Sequence, residues 1–588
     1  MRNNIISRAR RWVKGLLPFC LFTFLPFLAE AQNVSVKVNE DNSAVLENGT
    51  LKITVNPKGK ITGCLYNGED LFGKQGTIYF SCNQPNYSEL KATKVEVIRS
   101  ADDYAEILYT NEMPKNIKWS QGYILRKGVN GIYSYVIAEG VAEDSYLKEA
   151  RLAYRLDGDK FTYGYVNEQM QGEFPPVATM KAIERTAAIQ DATFRLPSGD
   201  IYTKYNWANY VADDHFHGMM TENIGVWAIP VTPEYINGGP LKQELTVHTD
   251  VKSPLMLQMF QGEHFGSVHQ EYVKGDRKLY GPFLMYFNDG TRAQMIADAR
   301  KQTALQEKEW PFKWFSNDLH DTERATVTGR VQITNGMAPA RLQVILAEPG
   351  KDVNAQGKGY IFWAETDKKG NFSIPKVRRG KYSLYVYALE GENTDELEHT
   401  GIEVKKGGKL NIGTIKWAPK KYENLLWRIG EADRLSDGFK LADSQRQYGL
   451  FDLCPEQLTY VIGKSNPKED WYFVESKKGS VWNVEFNLDK TYDGEAHLTI
   501  SAAAVTQKPR MIYELNGTKI GEEFYPESDG SIYRSGVRSG AHQIRVIEFP
   551  AKLLKKGKNV LTISLPSVKE KGGLMWDCMK LETGKEVK

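Results

Sequence analysis

Five of the nine histidines, His215, His217, His248, His264 and His269, fall within one short window of the 588-residue chain. Lys204 lies just before it, in Thr203-Lys204-Tyr205-Asn206-Trp207. The window also holds Gly238-Gly239-Pro240 and the loop-forming stretch Gly262-Glu263-His264-Phe265-Gly266. Histidine, and a lysine whose pKa has been lowered, are the side chains best suited to move protons near neutral pH. Proton-transfer chemistry is therefore expected here. There is no CxxC or HExxH spacing, so a zinc site is not expected.

The elements that position these residues read as strands. From residue 34 to about 290, short alternating segments such as Leu51-Lys52-Ile53-Thr54-Val55 are broken by Gly, Asn and Asp. That density of hairpin signals predicts a large antiparallel β-sandwich. One helix is predicted after it. Thr291 would cap it, Met295, Ile296, Ala299 and Ala304 would form its apolar stripe, and Trp310-Pro311 would stop it. Residues 316–324 are polar and read as a linker. Residues 325–416 alternate with period two and predict a seven-strand-type sandwich, similar to fibronectin-III-like and carboxypeptidase-regulatory-like modules. Residues 422–581 read as a jelly roll of the kind found in carbohydrate-binding modules. The chain is thus expected to be all-β: a catalytic β-sandwich at 32–315, a fibronectin-III-like domain at 316–420 and a carbohydrate-binding-module-like jelly roll at 421–588.

The first residues form a targeting segment. Arg2, Arg8, Arg10, Arg11 and Lys14 precede the apolar run Leu16–Leu28, and Ala29-Glu30-Ala31 is a small-x-small cleavage site. This predicts a signal peptide at 1–31 and a secreted or periplasmic protein. No later run is long and apolar enough for a membrane span. Removing the leader, with five basic residues and one acidic residue, takes the net charge from +3 to about −1. A nearly neutral surface argues against nucleic acid as partner. An acidic substrate would have to be gripped by a few local cations. Export permits disulfides Cys64–Cys82 and Cys454–Cys578, which domains of this size do not need. A monomer is expected.

The order of three all-β domains, with several specific motifs, resembles the rhamnogalacturonan lyases of polysaccharide lyase family 4. The matching residues are Thr203-Lys204-Tyr205-Asn206-Trp207, His217-Gly218, Gly225-Val226-Trp227-Ala228-Ile229 and Tyr235-Ile236-Asn237-Gly238-Gly239-Pro240-Leu241-Lys242-Gln243-Glu244-Leu245. To these are added Gly281-Pro282-Phe283, Trp427-Arg428-Ile429-Gly430-Glu431-Ala432-Asp433-Arg434 and Tyr448-Gly449-Leu450. The resemblance implies β-elimination on rhamnogalacturonan I, a pectic polymer of alternating rhamnose and galacturonate. The C5 proton of galacturonate would be removed and the rhamnosyl oxygen expelled from C4.

That chemistry needs a cation to neutralise the uronate carboxylate, a base at C5 and an acid at O4. Arg151 and Arg155 suit the first role. Four residues apart on a strand, they would share one face about 13 Å apart, and guanidinium forks hold carboxylates bidentately. The resemblance carries this pair over, with Lys204 as catalytic base and His264 as catalytic acid. Otherwise Lys204 would be a solvated strand residue and the arginines a surface ladder. His217 and His248 are rivals for the acid role, or orient the loop; His215 and His269 read as surface residues. Tyr205 and Trp207 could stack on sugar faces or belong to the core. The run Leu255-Met256-Leu257-Gln258-Met259-Phe260 lacks the tyrosines expected before His264. Arg534, in a turn beside Tyr533, is the candidate for a distal galacturonate. No cofactor is expected for catalysis; a structural calcium in the C-terminal domain is compatible with the sequence. The competing readings are a non-catalytic glycan-binding protein and a glycoside hydrolase using two of Glu168, Glu234 and Glu263.

Overall fold

A computed structural model describes residues 33–84, 86–236, 238–266, 270–350, 352–353, 356–526 and 529–587. The leader expected at 1–31 lies outside the described residues, as does His269.

Period-two alternation builds the first domain. In Leu51–Val55 the odd residues are buried and Lys52 and Thr54 are exposed. A strand of this kind buries one face and wets the other. A ten-stranded antiparallel sheet carries, side by side, Thr77–Asn83, Glu149–Arg155, Pro254–Gln261 and Val247–Thr249. A nine-stranded sheet packs across from it, with Arg277–Asp289 between Ile224–Ile229 and Gly131–Gly140. Leu46, Ile53, Phe80, Leu152 and Met256 of the first sheet meet Ile107, Tyr123, Val136, Val226 and Met285 of the second in one core.

Pro254–Gln261 departs from the alternation, since every residue in it is buried. Its even residues face the sandwich core. Leu255, Leu257 and Met259 face outward and are covered by a second cluster with Tyr79, Ala153, Tyr205, Ala208, Leu245 and Phe265. The apolar run where tyrosines were expected is the floor under the segments that carry Tyr205 and Phe265.

The expected helix runs Arg292–Glu309. Thr291 and Gln294 form a reciprocal capping box, which satisfies donors the first turn leaves open. Its buried residues are Met295, Ala299, Thr303 and Gln306. Ala304, expected in the stripe, is exposed instead, because at about 100° per residue it lies on the opposite side of the helix from Met295; Gln306 on the buried side accepts from the Tyr133 hydroxyl at 2.9 Å.

The second domain pairs a three-stranded sheet, Asn371–Val377, Ala325–Ile333 and Lys409–Trp417, with a four-stranded one. The third pairs two five-stranded sheets around Trp471, Trp482 and Trp576. The polar stretch 316–324 is docked, not free. The guanidinium of Arg324 grips buried Glu234 through contacts of 2.9 and 3.0 Å, and His320 Nε2 donates to the Phe312 carbonyl at 3.0 Å. Cys64, Cys82, Cys454 and Cys578 are all buried and unpaired, so neither of the disulfides that export would permit is formed. Burial holds the Cys82 thiol up at about 11 and Cys454 at about 12, in the inert protonated form.

Candidate active site

The strand Glu149–Arg155 sets the geometry. Ala150, Leu152 and Tyr154 point into the core, so Glu149, Arg151, Ala153 and Arg155 share the outer face. The two arginines therefore lie on one face as their spacing predicts, yet each has a carboxylate partner. Arg151 meets Glu149 at 2.9 Å, with its Nε toward the Ser81 hydroxyl at 3.3 Å. Arg155 holds Asp250 through two contacts of 2.7 and 3.1 Å, and its Nε donates to the Tyr79 hydroxyl at 3.3 Å.

Lys204 was expected on a strand. It opens a 3-10 turn, Lys204–Trp207, which follows Ile201–Thr203 and is capped by the Thr203 side chain. Its side chain is 13% exposed and its ammonium lies 3.0 Å from Asp191. The Tyr205 hydroxyl donates to the same Asp191 oxygen at 2.8 Å. Burial lowers the Lys204 pKa; Asp191 opposes this and the positive field of Arg151 adds to it. Asp191, conversely, would be raised by burial but is held below the ordinary carboxylate range by the Lys204 ammonium.

His264 stands beside Tyr205, with ring centroids 6.1 Å apart. Its Nε2 is 3.6 Å from Glu149 and its Nδ1 is 3.8 Å from Glu244. Burial lowers its pKa, the two carboxylates pull it up and Lys204 pushes it down. The loop is held from below by buried Lys242, which donates to the carbonyls of Gly262 at 2.8 Å and Gly266 at 3.3 Å and pairs with Glu244 at 3.3 Å. From the third domain, Arg534 donates to the carbonyls of His264 at 2.8 Å and Glu263 at 3.3 Å. Its guanidinium also covers the Tyr205 ring at 5.1 Å. Arg534 thus lies against the His264 loop, not at the remote position expected for it.

The structure brings together Lys204, His264, Arg151, Tyr205 and Arg534, with Arg155 further along the same strand. It turns two expected residues away. Trp207 is 7% exposed and packs on Phe174 at 4.9 Å inside the core, so its face is closed to a sugar. His217 is 1% exposed, with Nδ1 at 2.9 Å from Asp214 and Nε2 donating to the Leu257 carbonyl at 3.1 Å, which leaves no nitrogen for substrate. Tyr205 is buried as well and meets the site through its hydroxyl and ring edge, not as a stacking platform. His248 shares the outer face opposite Leu255. Burial and the nearby Lys204 ammonium push its pKa down to about 3, which leaves it neutral.

Asp191, Glu149, Glu244 and Lys242 complete the site and were not singled out from the sequence. Glu149 had a signal, two residues before Arg151 on a period-two strand. Asp191 had none, because the contact comes from a hairpin turn. Among the described residues no group of three or more His, Cys, Asp or Glu could hold a metal ion. In the third domain buried Asp577 already accepts from the amides of Asp433 and Arg434 and from the Ser501 hydroxyl.

Residues 25–194 match the rhamnogalacturonate lyase family, 338–412 match domain II of polysaccharide lyase family 4, and 425–581 match its domain III. The chain is 30% identical to the rhamnogalacturonate lyase of Dickeya dadantii (strain 3937), over 95% of this chain and 97% of that one. It is 25% identical to the probable rhamnogalacturonate lyase B of Aspergillus flavus, covering 92% and 94% of the two chains. With rhamnogalacturonate lyase B of Emericella nidulans it shares 24% identity, covering 93% and 95%. Glu168 pairs with Arg300, Glu234 with Arg324, and Glu263 accepts from Tyr146, so the three carboxylates weighed for a hydrolase do not face one another. The chain belongs to polysaccharide lyase family 4, the rhamnogalacturonate lyases.

Proposed function

We propose that this protein is a rhamnogalacturonan endolyase, cleaving the rhamnose-(1→4)-galacturonate bond by β-elimination. The observation that carries this reading is that Lys204 and His264 both stand beside Tyr205, with Lys204 5.1 Å from its ring, while Glu149 joins Arg151 to His264. In a galacturonate ring the C5 proton and O4 are trans-diaxial, so base and acid approach from opposite faces. Neutral Lys204 takes the C5 proton, the C4–O4 bond breaks, and His264 as imidazolium protonates the departing rhamnosyl oxygen. The products are a rhamnose reducing end and a 4,5-unsaturated galacturonate. The leader expected at 1–31 supports a reaction outside the cytoplasm, and the proposal takes the enzyme to act as a monomer.

Glu149 couples binding to the acid. It stands between Arg151 and His264. A uronate carboxylate that takes over Arg151 frees Glu149 to face the imidazole, and this favours the protonated ring that the acid role requires. Arg151 then neutralises the carboxylate as negative charge develops at C5. No step is assigned to a metal.

The deciding experiment mixes the protein with rhamnogalacturonan I and follows ultraviolet absorbance together with reducing ends. A lyase raises both. A hydrolase raises reducing ends alone, and a binding protein raises neither; each of those results would overturn the proposal.

A further inference from the structure

A cleft of about 720 Å³ opens beside Arg151 and runs along the outer face to Arg155. Four residues of strand separate the two arginines, about 13 Å, further than one pyranose ring reaches. The cleft is rich in cations, but most are already compensated. Arg151 is held by Glu149, Arg155 by Asp250 and Lys60 by Glu89. Two lining lysines are different. Lys181, at the end of the helix Val177–Ile183, and Lys252, just after Val247–Thr249, are exposed. Neither makes an ion pair with any described residue. The positive charge of this cleft that no ion pair takes up therefore rests on the two lysines, of which Lys252 also feels the Glu89 carboxylate, and not on the arginine pair that the strand spacing draws attention to.

The wall supplies the second half of a sugar site. Tyr87 lines the cleft with 53% of its surface exposed, among the largest exposures of any aromatic side chain here. Its hydroxyl donates to Glu89 at 2.9 Å, which fixes the ring while leaving a face open. A tethered, exposed aromatic ring beside free ammonium groups suits an acidic sugar, with an apolar ring face and a carboxylate edge.

We infer that this cleft is a second uronate subsite, in which Lys181 and Lys252 take the carboxylate and Tyr87 the sugar face of a residue beyond the one being cleaved. This rests on the acidic-polysaccharide reading above. Because an ammonium is a compact charge without a planar fork, such a subsite holds a carboxylate loosely in orientation and depends strongly on salt.

The test uses the full chain with the double substitution Lys181→Gln/Lys252→Gln, and separately Tyr87→Ala. All three side chains are exposed, so the fold is not at stake; Lys478→Gln, an exposed lysine of the third domain, is the charge control. On rhamnogalacturonan I the double variant should show KM raised roughly tenfold, with a flatter dependence on salt and little change in kcat. Tyr87→Ala should raise KM without flattening the salt dependence. On the shortest oligosaccharide that is still cut, the variants should match the parent, since it does not reach the cleft. Unchanged KM and unchanged salt dependence on the polymer would overturn the subsite. Direct polymer binding by Lys204→Ala, with and without the two lysine substitutions, separates the readings. Lysine-dependent binding, together with a parent protein that never cleaves, would keep the subsite and defeat the lyase proposal. Cleavage with binding indifferent to the lysines would do the reverse.

Discussion

At the scale of single residues, the site is a set of shared carboxylates. Asp191 is divided between Lys204 and Tyr205, and Glu149 between Arg151 and His264. Lys204→Ala and Lys204→Arg should each lower turnover by roughly 10²–10⁴-fold while polymer binding survives, because an arginine stays protonated and cannot act as base. Rates within a fewfold of the parent in either variant would remove Lys204 from the chemistry. Asp191→Asn should act on pH. Asp191 raises the Lys204 pKa against the lowering effect of burial, so its loss lowers that pKa further. The limb of the kcat/KM profile that belongs to Lys204 should move to lower pH, and the His264 limb should stay. Glu149→Gln should act chiefly on the acid. Glu149 raises the His264 pKa and, more weakly, the Lys204 pKa, so the His264 limb should shift further to lower pH than the Lys204 limb, and the loss should fall mainly on kcat. In Asp191→Asn, a shift of both limbs together would point to a general field, not to the separate sharing drawn here.

At the scale of elements, one polar pair sits where the alternation would place a hydrophobic contact. Lys242 and Glu244, 5% exposed each, are neighbours on the floor of the His264 loop. Lys242→Met leaves Glu244 buried without its cation, which typically costs about 3–5 kcal/mol. The double substitution Lys242→Met/Glu244→Leu should regain most of that in chemical denaturation, yet kcat should remain low because the loop carbonyls have lost their donor. Full recovery of kcat in the double variant would show that the pair serves stability alone. This element also marks how far the sequence could be read. Strand alternation, the helix cap at Thr291 and the shared face of Arg151 and Arg155 were legible because each is a local, periodic property. The Lys204 turn was read as a strand, since a 3-10 turn of four residues has no period to detect. The alternatives at His217, acid or loop contact, and at Trp207, sugar platform or core, stay open in the sequence because residue type is visible there and burial is not. Asp191 and Glu244 reach Lys204 and His264 across turns, and Arg534 reaches the His264 loop from another domain; no periodic pattern encodes those meetings.

At the scale of the whole molecule, the third domain reaches into the candidate active site. Arg534 supports the His264 loop, and Gln190, next to Asp191, donates to the Tyr533 carbonyl at 2.6 Å. Both halves of the proton-transfer pair therefore lean on one short turn, 532–534, about 270 residues downstream of the histidine. Arg534→Ala should lower kcat on the order of tenfold to a hundredfold, as expected for losing a charged hydrogen bond, with similar losses on long and short substrates. A loss confined to KM on the polymer would return Arg534 to the role of a distal contact. The linker adds rigidity, since Arg324 locks the first two domains through buried Glu234. The Arg534 contact has a consequence in time as well as in space. A chain synthesised from its N-terminus makes Lys204 and His264 early and the residue that steadies them late. Until the final β-domain folds and docks, the growing chain holds the reactive side chains without their support, so lytic power arrives last, when the molecule is finished.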